Sequence, residues 1–340
     1  MFSLPNQAKL DVLKCLNFNQ LTSFKQTNIY FYNLINENEE ELCFRMKFNK
    51  LSINDNLQKF DSYEFLEPDP EVVGYILPAF FKKRYQNIIN RLVPVFLYYY
   101  QNVSSSPSKF FVYIERTSEY NLLDNEPRYY IIKLPIFPKN VEKMVIVGYW
   151  LEQLSDCVFE YASFDGVVFN PELINLLFDN DKLLFHIQKP KISSNEASFG
   201  NVWKFVSNHL TISEYLSINL NDINVQRLHG ILVSGGNKLP KIRVKNVKTG
   251  RLYNSIIKHI STAKDCSKML ANITLYYSSP TKFELNEIAE EVEITEQLNG
   301  VKYTKYQLEN IHNPNVRFSF CNEEGKDGKI VCVKIRKMEA

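Results

Sequence analysis

Residues 239–275 read LPKIRVKNVKTGRLYNSIIKHISTAKDCSKMLANITL, and this stretch decides the predicted fold. It contains the same apolar spacing twice, as Leu239-Ile242-Val244 and as Leu270-Ile273-Leu275. Because side chains alternate along a strand, Ile242 and Val244 share one face, as do Ile273 and Leu275, and the polar residues between them lie on the other face. Two such cores in succession predict strands of a repeating α/β fold.

Similar β-like stretches recur along the C-terminal part of the chain. They begin near Glu142, Cys157, Leu183, Glu214, Lys241, Asn272 and Val292. From Cys157 to Asn272 the spacing is roughly 26 to 31 residues, which is the range of leucine-rich and related α/β solenoids. Helix-like segments separate several of them, at 172–178, 202–210 and 225–233, and two further strands are expected near 316–321 and 330–335.

These patterns predict an α/β fold: an N-terminal three-helix module followed by an irregular, leucine-rich-repeat-like curved solenoid with a largely parallel sheet. The predicted domains are a helical module at 1–45, a helical and irregular connector at 46–135 and a repeat-like binding domain at 136–340. The alternative is an ordinary α/β domain whose βαβ units happen to be evenly spaced.

The N-terminal module rests on residues 4–35, LPNQAKLDVLKCLNFNQLTSFKQTNIYFYNLI. Leu4-Pro5 gives an extended entry to a helix, and Asn17-Phe18-Asn19 interrupts the apolar period and supplies a cap for a second helix. Three helices this short bury little apolar surface by themselves, so such a module needs a partner surface or a neighbouring domain.

This segment resembles the F-box, whose pattern begins with Leu-Pro, continues with an apolar helix and ends in an aromatic residue followed by Leu-Ile. The matching positions are Leu4, Pro5, Leu10, Val12, Leu13, Leu16, Leu21, Phe24, Phe31, Leu34 and Ile35. Thr27-Asn28-Ile29 departs from the Val-Cys or Val-Ser pair common in the family and is similar to divergent, nematode-like F-boxes. The match covers about the first 40 residues. The alternative is a helical cap that only covers the rest of the fold.

The resemblance implies a non-catalytic substrate adaptor of an SCF-type cullin ubiquitin ligase. Its Skp-family subunit would bind Leu4, Pro5, Leu10, Val12, Leu13, Leu16, Leu21, Phe24 and Phe31. The repeats would hold a substrate protein. The alternatives are a stand-alone repeat-type interaction scaffold with no link to ubiquitination, and an enzyme on an α/β fold.

Strand register predicts the substrate-binding surface, because fixing the apolar residues as inward fixes their neighbours as outward. The outward residues are His186, Gln188, Ser217, Asn219, Asn221, Arg243, Lys245, Thr274 and Tyr276. Lys241, Arg243 and Lys245 would share one strand face, which suits an acidic or phosphorylated peptide. A plain solvated sheet edge is the alternative.

Composition and motif searches predict few other functions. The formal net charge of +2 gives no overall attraction to nucleic acid or to a membrane, so neither is expected as a partner. No apolar signal core precedes the first helix, and the six cysteines form no CxxC pair, so a cytoplasmic or nuclear location is expected. The five histidines lack ligand spacing, and we expect no metal and no cofactor.

Two local motifs have functional and structural explanations. Residues 230–238, GILVSGGNK, lack the Gly-Lys-Ser/Thr of a phosphate loop, and a helix C-cap with a turn is the better interpretation. Cys266, seven residues after His259, is a possible nucleophile, although free cysteines usually serve packing.

Overall fold

The computed structural model describes residues 5–14, 30–31, 34–35, 38, 46–58, 60–68, 79–98, 108–117, 128–178, 183–194, 196–220, 225–236, 238–281, 289–297 and 300–338. The helices are α1 (Asn6–Lys14), α2 (Ala79–Asn90), α3 (Val141–Ser155), α4 (Pro171–Phe178), α5 (Glu196–His209), α6 (Val225–Ser234) and α7 (Arg251–Thr262). The strands before residue 190 are β1 (Met46–Asn54), β2 (Tyr63–Phe65), β3 (Phe96–Tyr98), β4 (Lys109–Arg116), β5 (Tyr129–Pro135), β6 (Cys157–Asp165), β7 (Val167–Phe169) and β8 (Phe185–Ser194). Those after it are β9 (Leu210–Ile212), β10 (Leu216–Leu220), β11 (Ile242–Val247), β12 (Asn272–Thr281), β13 (Glu290–Glu296), β14 (Lys302–Asn310), β15 (Asn313–Glu324) and β16 (Ile330–Lys337).

One large mixed sheet organises the chain. Its strand order is β13-β14-β15-β16-β12-β11-β10-β8-β6-β1-β4-β5-β2, with β9 pairing beside β8, while β3 and β7 form a separate ribbon. The central strands β1, β6, β8, β10, β11 and β12 are mutually parallel. Antiparallel strands extend the sheet on both flanks, and β4 and β5 place part of residues 46–135 in it.

Helices cover one face of this sheet and build the main core there. In α3, Met144, Val147 and Leu151 are fully buried at helical spacing, and Asn140 caps the helix by accepting a hydrogen bond from the Lys143 amide at 3.0 Å. In α5, the centroid of the buried Phe205 ring lies 5.3 Å from the ring centroid of Phe164 and 5.9 Å from that of Phe185. We call this the covered face and the opposite side the open face.

A short segment covers one flank of the open face. Phe111, Tyr113 and Ile131 form a separate apolar cluster on β4 and β5, with Phe60 packed against it. The Tyr113 hydroxyl donates to the Asn56 carbonyl and accepts from the Gln58 amide, both at 2.9 Å. Residues 55–58 and 60 are thereby held over the apolar end of this face.

The prediction of a curved solenoid was wrong, because the sheet is flat, mixed and neither closed nor curled. A solenoid curves when every unit adds the same rotation. Here antiparallel strands flank the parallel ones, and β14, β15 and β16 follow one another along the chain with no described helix between them, so no constant rotation accumulates along the sheet. The alternative of an ordinary α/β domain describes the structure better.

The predicted three-helix N-terminal module was also wrong, since α1 is the only helix before the strands that the described residues define. Leu10 and Leu13 of α1 form a small cluster with Phe31, Leu34 and Ile35, apart from the main core. These five described residues alone bury less apolar surface than a three-helix core would.

Some helices, strands and turns predicted from local sequence patterns are confirmed, and one is wrong. The stretch near Glu142 is helix α3 rather than a strand, because its buried residues follow a period of three to four. The helices expected at 172–178, 202–210 and 225–233 and the last two strands are confirmed. The turn after α6 is also confirmed: Gly235 N bonds Ile231 O at 2.9 Å and Gly236 N bonds Lys268 O at 2.8 Å.

Candidate functional site

Polar side chains cross the open face in one straight row. The pairing register places Lys191 opposite Ser217, Ser217 opposite Arg243, Arg243 opposite Thr274 and Thr274 opposite Lys334. We call Lys191, Ser217, Arg243, Thr274 and Lys334, from β8, β10, β11, β12 and β16, the central row. Their strand neighbours Ile192, Ile218, Val244, Leu275 and Val333 are fully buried on the covered face, so the row points to the open face.

A second row lies one pleat towards the strand N-termini. Because Ile242 pairs with Ile273 in parallel strands, the preceding residues Lys241 and Asn272 lie opposite each other. Asn272 in turn pairs with Arg336, so these three residues form the second row. Arg336 is exposed and Lys241 is half-buried. With Lys191, Arg243, Lys245 and Lys334, these cations form what we call the basic patch.

The described residues do not neutralise the basic patch. Burial, followed by the charges of Arg243, Arg336 and Lys334, lowers the pKa of Lys241. No carboxylate among the described residues forms an ion pair with any of its six cations. The Arg243 guanidinium lies 3.7 Å from the centre of the Tyr215 ring, which holds it over that ring. The patch therefore presents concentrated positive charge on a rigid sheet.

A compensated cation marks the boundary of the patch. Lys189 Nζ lies 3.0 Å from Glu160 Oε1 and 3.4 Å from Glu214 Oε1, and the bond to Glu160 raises the pKa of Lys189. Lys189 lies two residues before Lys191 on β8. A cation with two acidic partners and a cation with none among the described residues are therefore only two residues apart. In the part of the chain that the structure describes, acidic partners therefore lie beside the patch, at Lys189, and not within it.

The sequence predicted correctly that β8, β10, β11 and β12 would be neighbouring parallel strands. Of the predicted substrate-binding residues, Arg243 is half-buried, Lys245 and Tyr276 are exposed, and Asn219 accepts a hydrogen bond from Asn246. Ser217 and Thr274 face the open side but are each only 5% exposed, because longer side chains flank them.

The remaining predicted positions do not join the central row. His186 pairs with Val158 and Thr211, five residues before Lys191, which places it about 17 Å along the strand at 3.3 Å per residue. Gln188 lies between them, where its carbonyl accepts from the Glu214 and Tyr215 amides. Asn221 falls outside the described residues. The predicted surface is therefore brought together only in part.

Sequence analysis missed Lys191, Lys334 and Arg336. A signal was present, because Lys334-Ile335-Arg336 repeats the tripeptide Lys241-Ile242-Arg243. Both tripeptides place an apolar residue in the core and two cations on the open face. The sequence did not reveal that β16 pairs with β12, which places β16 two strands away from β11.

The structure separates the described N-terminal residues into two groups. Leu10, Leu13 and Phe31 are buried in the small cluster, whereas Pro5 and Val12 are exposed, with Val12 44% accessible. Lys9 is buried beside them, and its Nζ donates to the Tyr30 hydroxyl at 2.6 Å. Leu4, Leu16, Leu21 and Phe24 lie outside the described residues.

The possible nucleophile Cys266 lies in an unsuitable environment for that role. Its thiol is directed at the His259 carbonyl oxygen, 3.9 Å away, rather than at the imidazole, and burial raises the pKa of the thiol. The His259 ring instead packs edge-on against His229, with ring centroids 5.6 Å apart. Proximity in sequence therefore does not correspond to a thiol–imidazole pair.

A cavity of about 620 Å³ lies where α5 ends and β9 begins, and its lining includes Trp203, His209 and Lys238. Burial lowers the pKa of His209, whose Nδ1 lies 3.1 Å from the Leu183 carbonyl oxygen. The cavity adjoins the N-terminal ends of β8 and β11. Open α/β sheets bind ligands beyond the carboxyl ends of their strands, so this position differs from that of a typical α/β enzyme site.

The described residues provide neither a cluster of metal ligands nor a membrane-spanning helix. These residues contain no group of three or more His, Cys, Asp or Glu side chains that could hold a metal ion. Within the same part of the chain, no helix is long and apolar enough to cross a membrane.

Comparison with known proteins gives one partial match. A family model described as a domain of unknown function, DUF8381, matches residues 66–221, less than half of the chain. The match runs from the end of β2 to the end of β10, so it contains Lys191 and Ser217 but not Arg243, Thr274 or Lys334. No curated protein and no solved structure shows significant similarity to the chain.

Proposed function

We propose that this protein is a non-catalytic adaptor that holds an acidic segment of a substrate protein on its open sheet face. Its N-terminal segment would dock on the Skp-family subunit of an SCF-type cullin ubiquitin ligase. The observation that carries the proposal is the basic patch, in which six cations from β8, from β11 and the residue before it, and from β16 lack an acidic partner among the described residues.

The open face suits a protein ligand for two physical reasons. Its side chains are fixed by a sheet whose other face is fully packed, so binding orders no loop and costs little conformational entropy. Mutual repulsion among the cations is relieved when an anionic partner binds, and complementary charge also speeds association. A flat surface with these properties favours binding over bond-making chemistry.

The N-terminal segment supports the docking part of the proposal. Its small apolar cluster is separate from the main core, and the F-box-like positions Pro5 and Val12 remain exposed on it. Exposed apolar residues at the surface of such a segment are suited to cover by a partner subunit. Leu10, Leu13 and Phe31 would then maintain the segment's own packing while Pro5 and Val12 contact the partner.

Co-purification of the full chain with a Skp-family protein tests the docking. Val12→Asp should weaken recovery of the complex at least about tenfold, because it places a charge in an apolar contact. Gln7→Asp, on an exposed position of the same helix, is the matched control and should leave recovery unchanged. Undiminished recovery after deletion of residues 1–40 would exclude the N-terminal segment as the docking site.

Charge reversal tests the substrate part separately. The double variant Arg243→Glu, Lys334→Glu should lose capture of an acidic protein ligand while retaining the Skp-family subunit. The matched control is the double variant Lys204→Glu, Lys258→Glu, which changes the net charge equally at exposed cations of α5 and α7 in the helix layer. Equal loss with the control would point to net charge alone rather than to the open face.

A further inference from the structure

The central row alternates long cations with small hydroxyl residues, in the order Lys191, Ser217, Arg243, Thr274, Lys334. Neighbouring strands lie about 4.8 Å apart, so cations two strands apart are separated by about 9.6 Å at the backbone. The whole row spans four strand intervals, or about 19 Å. The sheet therefore displays three positive charges at an even spacing, at right angles to its strands.

The residues between the cations of the row have small, polar side chains. Ser217 and Thr274 are short, and the Ser217 hydroxyl oxygen has no hydrogen-bond partner among the described residues. The next strand along, β15, contributes Cys321 opposite Lys334, and the first carboxylate of the row is Glu293 on β13, which pairs with Lys305 at 3.5 Å. An acidic peptide that crosses the strands along this row meets cations and short side chains in turn. It meets no described carboxylate in the row before Glu293 on β13.

Few protein conformations repeat a charge at this spacing on one side. A polyproline II segment has three residues per turn and rises about 3.1 Å per residue, so every third side chain recurs on the same side after about 9.3 Å. An α-helix rises about 1.5 Å per residue, so its same-face positions recur after about 4.5 to 6 Å at i+3 and i+4, which is too short, and after about 10.5 Å at i+7, which exceeds the spacing of the row by about 1 Å at each interval. A β-strand brings a side chain to the same face every two residues, after about 6.8 Å.

We propose that the central row binds an extended, polyproline II-like protein segment that carries an acidic group at every third residue. Lys191, Arg243 and Lys334 each take one acidic group, and Arg243, held over Tyr215, takes the middle one with its planar guanidinium. The shared ligand chemistry is an anionic oxygen cluster, supplied by a glutamate or by a phosphoserine. This inference rests on the proposed function of the open face and specifies its ligand.

Synthetic peptides of identical composition test the spacing. Fluorescein-labelled, proline-rich peptides would carry three glutamates at positions 1, 4 and 7, or at positions 1, 3 and 5. Fluorescence anisotropy with the full chain should give the first peptide at least about tenfold tighter binding, because only its charges match the row. A third peptide with phosphoserine at positions 1, 4 and 7 distinguishes phosphate from carboxylate as the preferred source.

Variants show whether the row itself makes the distinction. Lys191→Ala and Lys334→Ala should each reduce the preference for the 1,4,7 spacing to about threefold or less, because each leaves only two matched charges. Lys258→Ala in the helix layer is the matched control and should leave the preference unchanged.

The outcomes separate this inference from the proposed function. Equal affinity for the two glutamate peptides, with binding still lost in Arg243→Glu, Lys334→Glu, would overturn the spacing and keep the open face as a ligand site. No binding of either peptide or of polyglutamate would overturn both. Tighter binding of a single-stranded oligonucleotide than of any peptide would overturn the assignment of a protein ligand.

Discussion

Strand β11 shows different chemistry on its two sides. Ile242 and Val244 are fully buried under the helices, whereas Arg243 and Lys245 lie on the open face. The covered face is constrained by close packing, where each lost methylene costs free energy of unfolding. The open face is constrained by charge, where substitutions cost little stability. Residues can therefore be separated by experiment into those that maintain the sheet and those that use it.

The open face itself differs between its flanks. Over β4 and β5 it carries the apolar cluster of Phe111, Tyr113 and Ile131, which residues 55–58 and 60 cover through Phe60 and the hydrogen bonds of Tyr113. From β8 to β16 the open face carries cations and short polar side chains, with no comparable apolar cluster among the described residues. A sheet face is closed by its own chain where it is apolar, and a charged face is left to solvent or a ligand.

The largest effect is expected on the covered face. Phe205→Ala should lower the free energy of unfolding by about 3–5 kcal/mol, because the ring is fully buried among Phe164, Phe169 and Phe185. Urea unfolding followed by circular dichroism measures it. Lys245→Ala on the open face should stay within about 0.5 kcal/mol of the parent. Equal losses in both variants would erase the distinction between the faces.

A buried amide joins the helix layer to the sheet edge. The Asn310 side-chain nitrogen donates to the Ile260 carbonyl at 2.6 Å and the Ala263 carbonyl at 2.8 Å, and its oxygen accepts from the His312 amide at 2.9 Å. Asn310→Ala should cost about 1–3 kcal/mol, because it leaves buried backbone groups unpaired. Hydrogen exchange should show the loss first at the end of α7 and the β14–β15 turn. A uniform change in protection would contradict this local role.

Two glycines should respond to alanine with opposite signs. A Cβ at Gly236 would lie 2.6 Å from the Met269 carbonyl oxygen and 2.8 Å from that of Lys268, so Gly236→Ala should destabilise by about 1–3 kcal/mol. Gly230, within α6, has open space at that position, and Gly230→Ala should stabilise by about 0.5–1 kcal/mol. Thermal melts of the two variants measure the pair, and shifts of the same sign would refute the close approach at Gly236.

The smallest effect on the free energy of unfolding is expected for a substitution on the open face, and this substitution should stabilise the protein. Arg336→Gln should raise the free energy of unfolding by a few tenths of a kcal/mol at low salt, because it removes one of the charges that lower the pKa of Lys241. The gain should shrink as salt rises, since exposed charges are screened. Destabilisation by this variant at every salt concentration would indicate that the cations are compensated.

The pH dependence of that variant follows from the same contact. The pKa of Lys241 is lower in the folded chain than in the unfolded one, so the unfolded chain binds more protons in between and stability rises with pH there. The penalty on charged Lys241 is complete below the folded pKa and is relieved as pH rises through it. In Arg336→Gln the pKa of Lys241 moves back up, and the rise in stability at alkaline pH should become shallower in urea titrations.

Sequence periodicity identified which residues face the core but not how strands align. Ile187 and Ile192 of β8 are both buried in the main core although five residues separate them, so the alternation of side chains shifts once within that strand. A period of two cannot reveal such a shift, and a slide by two residues leaves the pattern unchanged. For this reason His186 and Gln188 were grouped with Ser217 and Arg243, whereas the register aligns Lys191 with them.

The sequence by itself determined the local pieces of this protein. These are the alternating cores around Ile242 and Ile273, the helices between them and the positive charge beside each core. Each depends on residues close together in the chain, where propensity and periodicity act. Tertiary structure alone decided that β16 pairs with β12 and that the sheet is flat. Those features depend on pairing between distant segments, which local patterns do not encode, and they bring Lys191, Arg243 and Lys334 into one row.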